Sequence, residues 1–320
     1  MTESTKLRKI RPAFTGFDGF TLKIIAVITM IIDHTGVAIV SHLPGYDDKE
    51  SLIYALYWIC RLIGRIAFPL YLFMLVEGFE HTRNKANYML RLFLFCFLSE
   101  LPFDLALRGT LFDFKHQNVF FTLLLGFLVM WGFTQARETL ADKLPQLPVK
   151  LAGVILSTAY FSYRAVKFMK KSTSISISIY IWYVIFAIVA LFFVISLIQF
   201  AVKRGGDREG LVICLDLVLV SAGMLAADLL HTDYNSVGVL AVVAMYIYRK
   251  DQYRKITSGC IILTALSSAT ELVSFATIPM VLNYNGKRGP GLKYFFYIVY
   301  PAHLLILYGL ARYFNLLTIS

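Results

Sequence analysis

An Asp-His pair, Asp33-His34, interrupts an apolar run from Leu22 to Val40. A neutral imidazole with one basic nitrogen can take a proton from an amine or hydroxyl near neutral pH. Inside a bilayer each charged side chain costs roughly 2.5–3.5 kcal/mol on insertion scales. Such residues are therefore retained where they face a bundle interior and do chemistry or hold a structure together. Neighbouring helix residues splay by about 100°. Asp33 can thus either orient His34 or engage Arg61 or Arg65, which lie four apart on one helix face. The two guanidinium forks suit structural ion pairs, for example with Asp33 or Glu100, or an anion such as phosphate or pyrophosphate. Pro69 beyond them frees a carbonyl near Arg65.

Other polar residues sit inside or beside apolar runs. Glu100 and Asp104 are four apart, and Asn118 and Thr122 open the following run. Asp216, Asp228, His231, Asp233 and Tyr234 gather around 210–234, Glu271 lies in a later run, and His303 follows Tyr300-Pro301-Ala302. The segment Glu77–Lys85, with His81, Arg83 and Lys85, reads either as a solvated turn or as a phosphate-facing mouth. Dispersed histidines without a His-x-x-x-His or His-Glu-x-x-His spacing argue against a metal site. No Gly-x-Ser-x-Gly nucleophile motif occurs. Cys60, Cys96, Cys214 and Cys260 all lie in apolar segments and behave as small hydrophobes. Acid–base chemistry remains.

The elements that must position these groups are membrane spans. Of 320 residues 58% are hydrophobic and 16% charged, with a mean hydropathy of +0.66. Soluble domains sit near about 45–50% and 25%. The chain is expected to be an all-α polytopic bundle forming one integral membrane domain over 1–320. Apolar runs long enough to cross fall at 20–41, 52–78, 87–107, 118–136, 149–168, 177–202, 210–230, 235–249, 257–280 and 293–314. Ten spans are preferred, within 9–11, with 149–168 and 235–249 the weakest.

The net charge of +11 fits cytoplasmic loops rather than nucleic acid. Ten spans put the basic N-terminus (1–19), Arg83, Arg137, Arg208 and Arg249–Lys255 on the cytoplasmic side. The Asp47–Glu50, Asp113 and Asn283–Gly291 loops then lie outside. Residues 137–176, which run into the serine-rich stretch 172–178, read as a variable connector. No cleavable leader is evident, and no internal repeat supports an inverted-repeat carrier.

The polar residues also carry a resemblance. Leu22–Ala26 through Ile32-Asp33-His34-Thr35-Gly36 resembles the first signature of the TraX (conjugal transfer) family. Arg61–Leu70, Glu77-Gly78, His81-Thr82-Arg83, Ser99–Asp104 and Asn118–Leu123 continue it. So do Ala227–Tyr234, Gly238–Leu240, Asn285–Gly289 and Lys293–Leu304. The resemblance spans 20–135 and 210–310 and departs at 137–205.

It implies a multi-pass acetyltransferase of the bacterial inner membrane, N-terminus in the cytoplasm, distantly related to membrane acyltransferases. The donor is acetyl-CoA, and the acceptor is an amine such as a pilin-like N-terminus or a glycan hydroxyl. On this reading His34, with Asp33, is catalytic, as a general base or less favourably through an acetyl-imidazole. Arg61, Arg65, His81, Arg83, Lys85 and Asn118 bind the donor, with Arg65 or Asn118 meeting the oxyanion. Glu100, Asp104, Asp228, Tyr234 and His303 line the acceptor side. The rival expectations are a proton-coupled transporter and a non-catalytic assembly factor for a pilus or secretion apparatus.

Overall fold

The computed structural model describes residues 16–172, 179–291 and 293–316. The basic stretch before Gly16 and most of the serine-rich run (173–178) lie outside them. Among the described residues five segments are long and apolar enough to cross a membrane unaided: Gly19–His42, Leu52–His81, Val119–Lys143, Ile181–Leu229 and Tyr294–Tyr313. The all-α expectation holds. Among the described residues β-structure is limited to two isolated bridges, Phe17 to Tyr284 and Gln117 to Thr232.

The helix starts follow local chemistry. Asp18 caps α1 (Gly19–Ala38), accepting from the Thr21 amide at 2.8 Å. Ser51 caps α2 (Leu52–Gly64), Asn84 caps α4 (Lys85–Arg108) and Asn118 caps α5 (Val119–Gln135). Each side-chain oxygen satisfies an otherwise orphaned amide of the first turn.

The expected span 52–78 is two helices, α2 and α3 (Ala67–His81). Pro69 has no amide to give the Arg65 carbonyl. The chain tightens instead, with Arg65 N bonded to Leu62 O at 3.1 Å and Ile66 N to Ile63 O at 3.2 Å. The break puts Arg65 at a corner rather than along a straight face.

The weak span at 149–168 is a full helix, α6 (Gln146–Ser172). Most of the expected connector is therefore ordered structure. It packs along α7 (Ile179–Leu229), which leaves helical geometry at Gly205 and at Gly206, where φ is 73°. Two arms result, and Gly210 packs back onto Val202. The first arm exposes Ile188, Phe192 and Phe193, a surface suited to lipid tails.

After α8 (Asn235–Ile247) and α9 (Gln252–Leu266) the expected ninth span fails to cross. The chain stops at Ser267-Ser268, where small hydroxyl residues compete for backbone hydrogen bonds. It returns as a 3-10 stretch, Ala269–Ala276, and a short helix α10 (Thr277–Leu282). The Gln252 side chain at the start of α9 bonds the carbonyls of Val281 and Tyr284. Residues 252–282 are therefore a re-entrant hairpin with both ends on one face. That face also carries the start of α1, because Phe17 N bonds Asn283 O at 2.7 Å and Gly19 N bonds Lys287 O at 2.8 Å.

One count and one correction follow. Among the described residues the helices pass between the two faces nine times, inside the expected range of 9–11, with α2/α3 taken as one pass and the arms of α7 as two. The loop 283–291 lies on the N-terminal face rather than opposite it, so Lys287 and Arg288 join the other basic ends. The last helix, α11 (Lys293–Tyr313), then runs parallel to α1.

Lipid tails are as apolar as leucine, so helices in a bilayer associate through close packing. Gly36 meets Cys60, Gly126 meets Val242 and Gly259 meets Met245. At Gly64 an added Cβ would land on Asp33. Gly64→Ala should therefore force α1 from α2 and cost about 1–3 kcal/mol. Thermal unfolding in detergent checks this, and an unchanged midpoint would refute it.

Candidate functional site

The Arg65 corner and the tip of the hairpin meet inside the bundle. Arg65 Nη1 donates to Glu271 Oε1 at 2.8 Å and to the Tyr234 hydroxyl at 3.2 Å. Its Nη2 lies 3.4 Å from Asp33 Oδ1, and its Nε donates to the Arg61 carbonyl at 3.2 Å. Arg61 Nη1 donates to Asp33 Oδ2 at 2.7 Å. Asp33 thus serves the arginines and leaves its sequence neighbour alone. Glu271 is 1% exposed, a carboxylate that only the return of the chain at mid-bundle could deliver.

His34 is oriented from α11 instead. His34 Nδ1 and His303 Nε2 lie 2.7 Å apart, with the rings parallel within 9°. His303 Nδ1 lies 2.8 Å from the Val299 carbonyl, which can only accept. With both rings neutral, that contact puts the His303 proton on Nδ1 and leaves its Nε2 as acceptor. His34 must then donate from Nδ1. The lone pair of His34 is left on Nε2, the nitrogen a general base needs.

His34, Asp33, Arg61, Arg65, Tyr234 and Tyr300 line a cavity of about 260 Å³ in the half of the bundle away from the N-terminal face. Tyr57, Tyr71, Arg108, His116 and Asp233 complete its polar wall. Sequence reasoning missed Tyr57, Tyr71, Arg108 and His116 as site residues. The Gln117–Thr232 bridge is what carries His116 to Asp233, leaving Nε2 4.0 Å from Oδ1. Burial holds the His116 pKa below its ordinary value, against the opposing pull of Asp233. Tyr234 stacks on Phe68 with centroids 3.7 Å apart. Its turn holds His231, Tyr234 and Asn235 at positive φ, a cost tolerated where a side chain must be aimed.

Several expected site residues lie elsewhere. Asn118 caps α5 and donates to Cys96 O and to Glu100. This commits it to structure and away from an oxyanion. Asp104 accepts from the Asp113 amide at 2.8 Å. Asp228 accepts from Tyr160 at 2.9 Å and Arg164 at 3.1 Å, tying α6 to α7. His81, Arg83 and Lys85 sit at the far end of α3, about 20 Å along the axis from Ala67. Buried Leu72, Phe73, Leu75, Val76 and Phe79 intervene.

A helical bundle whose cavity is lined by His34, Asp33, Arg61 and Arg65, with His303 and Glu271 behind them, defines a polytopic membrane protein with titratable groups in its interior. The chain belongs to the TraX family: the family described as "TraX protein" matches residues 18–221 and 184–311. Over 121 residues it is 36% identical to the "Probable fimbrial assembly protein FimC, serogroup H1" of Dichelobacter nodosus. That stretch covers 36% of this chain and 46% of the relative, so the chain spans about half the length of the curated protein it matches. No solved structure matches it.

Proposed function

We propose that this is a pilus-related membrane protein that transfers an acetyl group to an amine or hydroxyl acceptor, with His34 as general base. Family membership and the name of the fimbrial relative support the pilus context. One observation carries the chemistry: the Val299–His303–His34 relay, which leaves a lone pair on His34 Nε2 at the polar cavity.

The acceptor N–H or O–H hydrogen-bonds to His34 Nε2. As the nucleophile attacks the acetyl carbonyl of the thioester, its proton passes to that nitrogen and a tetrahedral oxyanion forms. The carbon–sulfur bond then breaks, the thiolate takes the proton, and the acetylated acceptor leaves. Most donors of Arg65 are spent on Glu271, Tyr234, Asp33 and Arg61 O. Arg61, whose side chain is 27% exposed and pairs with Asp33, is the better oxyanion partner.

The N-terminal face gathers Arg83, Lys85, Arg137, Lys143, Arg208, Arg249, Lys250, Arg254, Lys287 and Arg288, which supports a cytoplasmic assignment for it. The cavity then lies towards the exterior, where a pilin N-terminus or glycan would arrive. The plasma membrane of a bacterium is the compartment this topology suits. Acetyl-CoA, made in the cytoplasm, is the donor, and the 260 Å³ cavity suits its acyl end rather than its nucleotide.

The test is transfer itself. Protein reconstituted in liposomes with acetyl-labelled CoA should label a peptide bearing a free N-terminal amine or a glycan hydroxyl. Absence of label on both would refute acyl transfer.

A further inference from the structure

The Asn285–Gly289 loop is a second candidate for ligand chemistry, remote from the cavity. It is held in place by three backbone bonds to the start of α1. These are Phe17 N to Asn283 O, Asn285 N to Phe17 O at 2.9 Å, and Gly19 N to Lys287 O. Lys287 N also bonds Asn285 Oδ1 at 2.9 Å. Gly286 and Gly289 take φ of 74° and 70°, so the turn projects Lys287 and Arg288 into the open, where both are exposed.

One helical turn above Gly19, Lys23 lays its ammonium 5.4 Å from the Phe296 ring centre, close enough to Arg288 for the two charges to repel. Asp18, beside Gly289, is committed to the cap of α1. Among the described residues no carboxylate pairs with Lys23, Lys287 or Arg288. Like charges held together on a pinned backbone, none of them ion-paired among the described residues, describe an anion site.

Its position gives it a purpose. Lys23 and His34 are eleven residues apart, three turns to within about 20°, so they share a face of α1 with about 16 Å between them. Phe296 and His303, seven residues apart, likewise share a face of α11, two turns to within about 20°. Met30 stands between, lining the cavity floor.

We propose that Lys23, Lys287 and Arg288 hold the phosphate groups of a ligand on the N-terminal face, and that this ligand is the nucleotide end of the acyl donor. The phosphate site stands on the loop geometry, and the identity of its ligand rests on the acyl-transfer reading. The Arg83–Lys85 mouth, with the buried core of α3 between it and the cavity, is displaced from that role. An anionic lipid headgroup offers the same phosphate chemistry.

The full chain in phosphatidylcholine nanodiscs should bind desulfo-CoA, a thiol-free analogue that carries no acyl group. Lys287→Gln/Arg288→Gln should weaken that binding about tenfold or more, with Lys287→Arg/Arg288→Lys near wild type. His34→Ala should bind desulfo-CoA normally. If desulfo-CoA does not bind but phosphatidylglycerol stabilises the protein in a Lys287- and Arg288-dependent way, the site stands with lipid as its ligand and the donor assignment falls. Wild-type-like behaviour of the glutamine pair towards both probes, or no response of the wild type to either, overturns the proposal. Loss of transfer alone, with loop-dependent binding intact, would count against the function and leave this site in place.

Discussion

His34→Ala should lower acetyl transfer by about 10²–10⁴-fold while leaving the protein folded, because it removes the proton acceptor and little packing. His303→Ala is the more discriminating experiment. His303 is 6% exposed and lies 2.7 Å from His34 Nδ1, so in the proposed mechanism it acts through His34 by accepting that hydrogen bond. Without it the His34 ring has no fixed tautomer, and the lone pair is shared between its two nitrogens. The rate constant should drop by about ten- to a hundredfold, acceptor KM should stay put, and the pH profile should change shape. His303→Gln, which can still accept through its amide oxygen, should recover part of the rate. Steady-state kinetics on detergent-purified variants decide the matter. A His303→Ala variant with wild-type rate and pH profile would remove the relay from the proposed mechanism.

The second large effect concerns the meeting of the two broken segments. Arg65→Leu leaves Glu271 buried and uncompensated, and Glu271→Leu leaves Arg65 with only Asp33 as anionic partner. Breaking a buried pair from one side costs about 3–5 kcal/mol. Replacing both members at once removes the stranded charge, so Arg65→Leu/Glu271→Leu should be more stable than either single variant's cost suggests. A thermal-unfolding cycle over the four proteins measures the coupling. Additive losses, or single losses below about 1 kcal/mol, would mean that the hairpin is held by packing alone.

The helices were legible because apolar runs of span length have few other uses, and every run expected from sequence contains a helix. Direction was not legible. Hydropathy reports depth, and 257–280 is apolar enough to cross; only the Ser267-Ser268 interruption hints that it turns back. Charge order misled in the same way. Arg61, Arg65, Arg83 and Lys85 follow one another along the chain, yet α3 stands between the first pair and the second. Within the site, Asp33, His34, Arg61, Arg65, Tyr234 and His303 do converge, since an isolated titratable residue in a span must find polar company. The same logic picked out Glu100, Asp104 and Asp228, whose company turned out to be local pairs and amides. Asn118 carried a readable cap signature ahead of Val119. His116 carried none, because a loop histidine gains meaning only from the Thr232 backbone that pairs with its neighbour.

The hairpin has a consequence for biogenesis. Arg249 and Lys250 precede it, Arg254 lies in its first turn, and Lys287 and Arg288 follow it, all on the face where both its ends are tied. None of these cations has to be moved through hydrocarbon for Glu271 to reach mid-bundle. The segment can enter from one side, with the Arg65 guanidinium as partner for its carboxylate. Topology, and not hydropathy alone, thus accounts for an acidic residue at rest within the bundle.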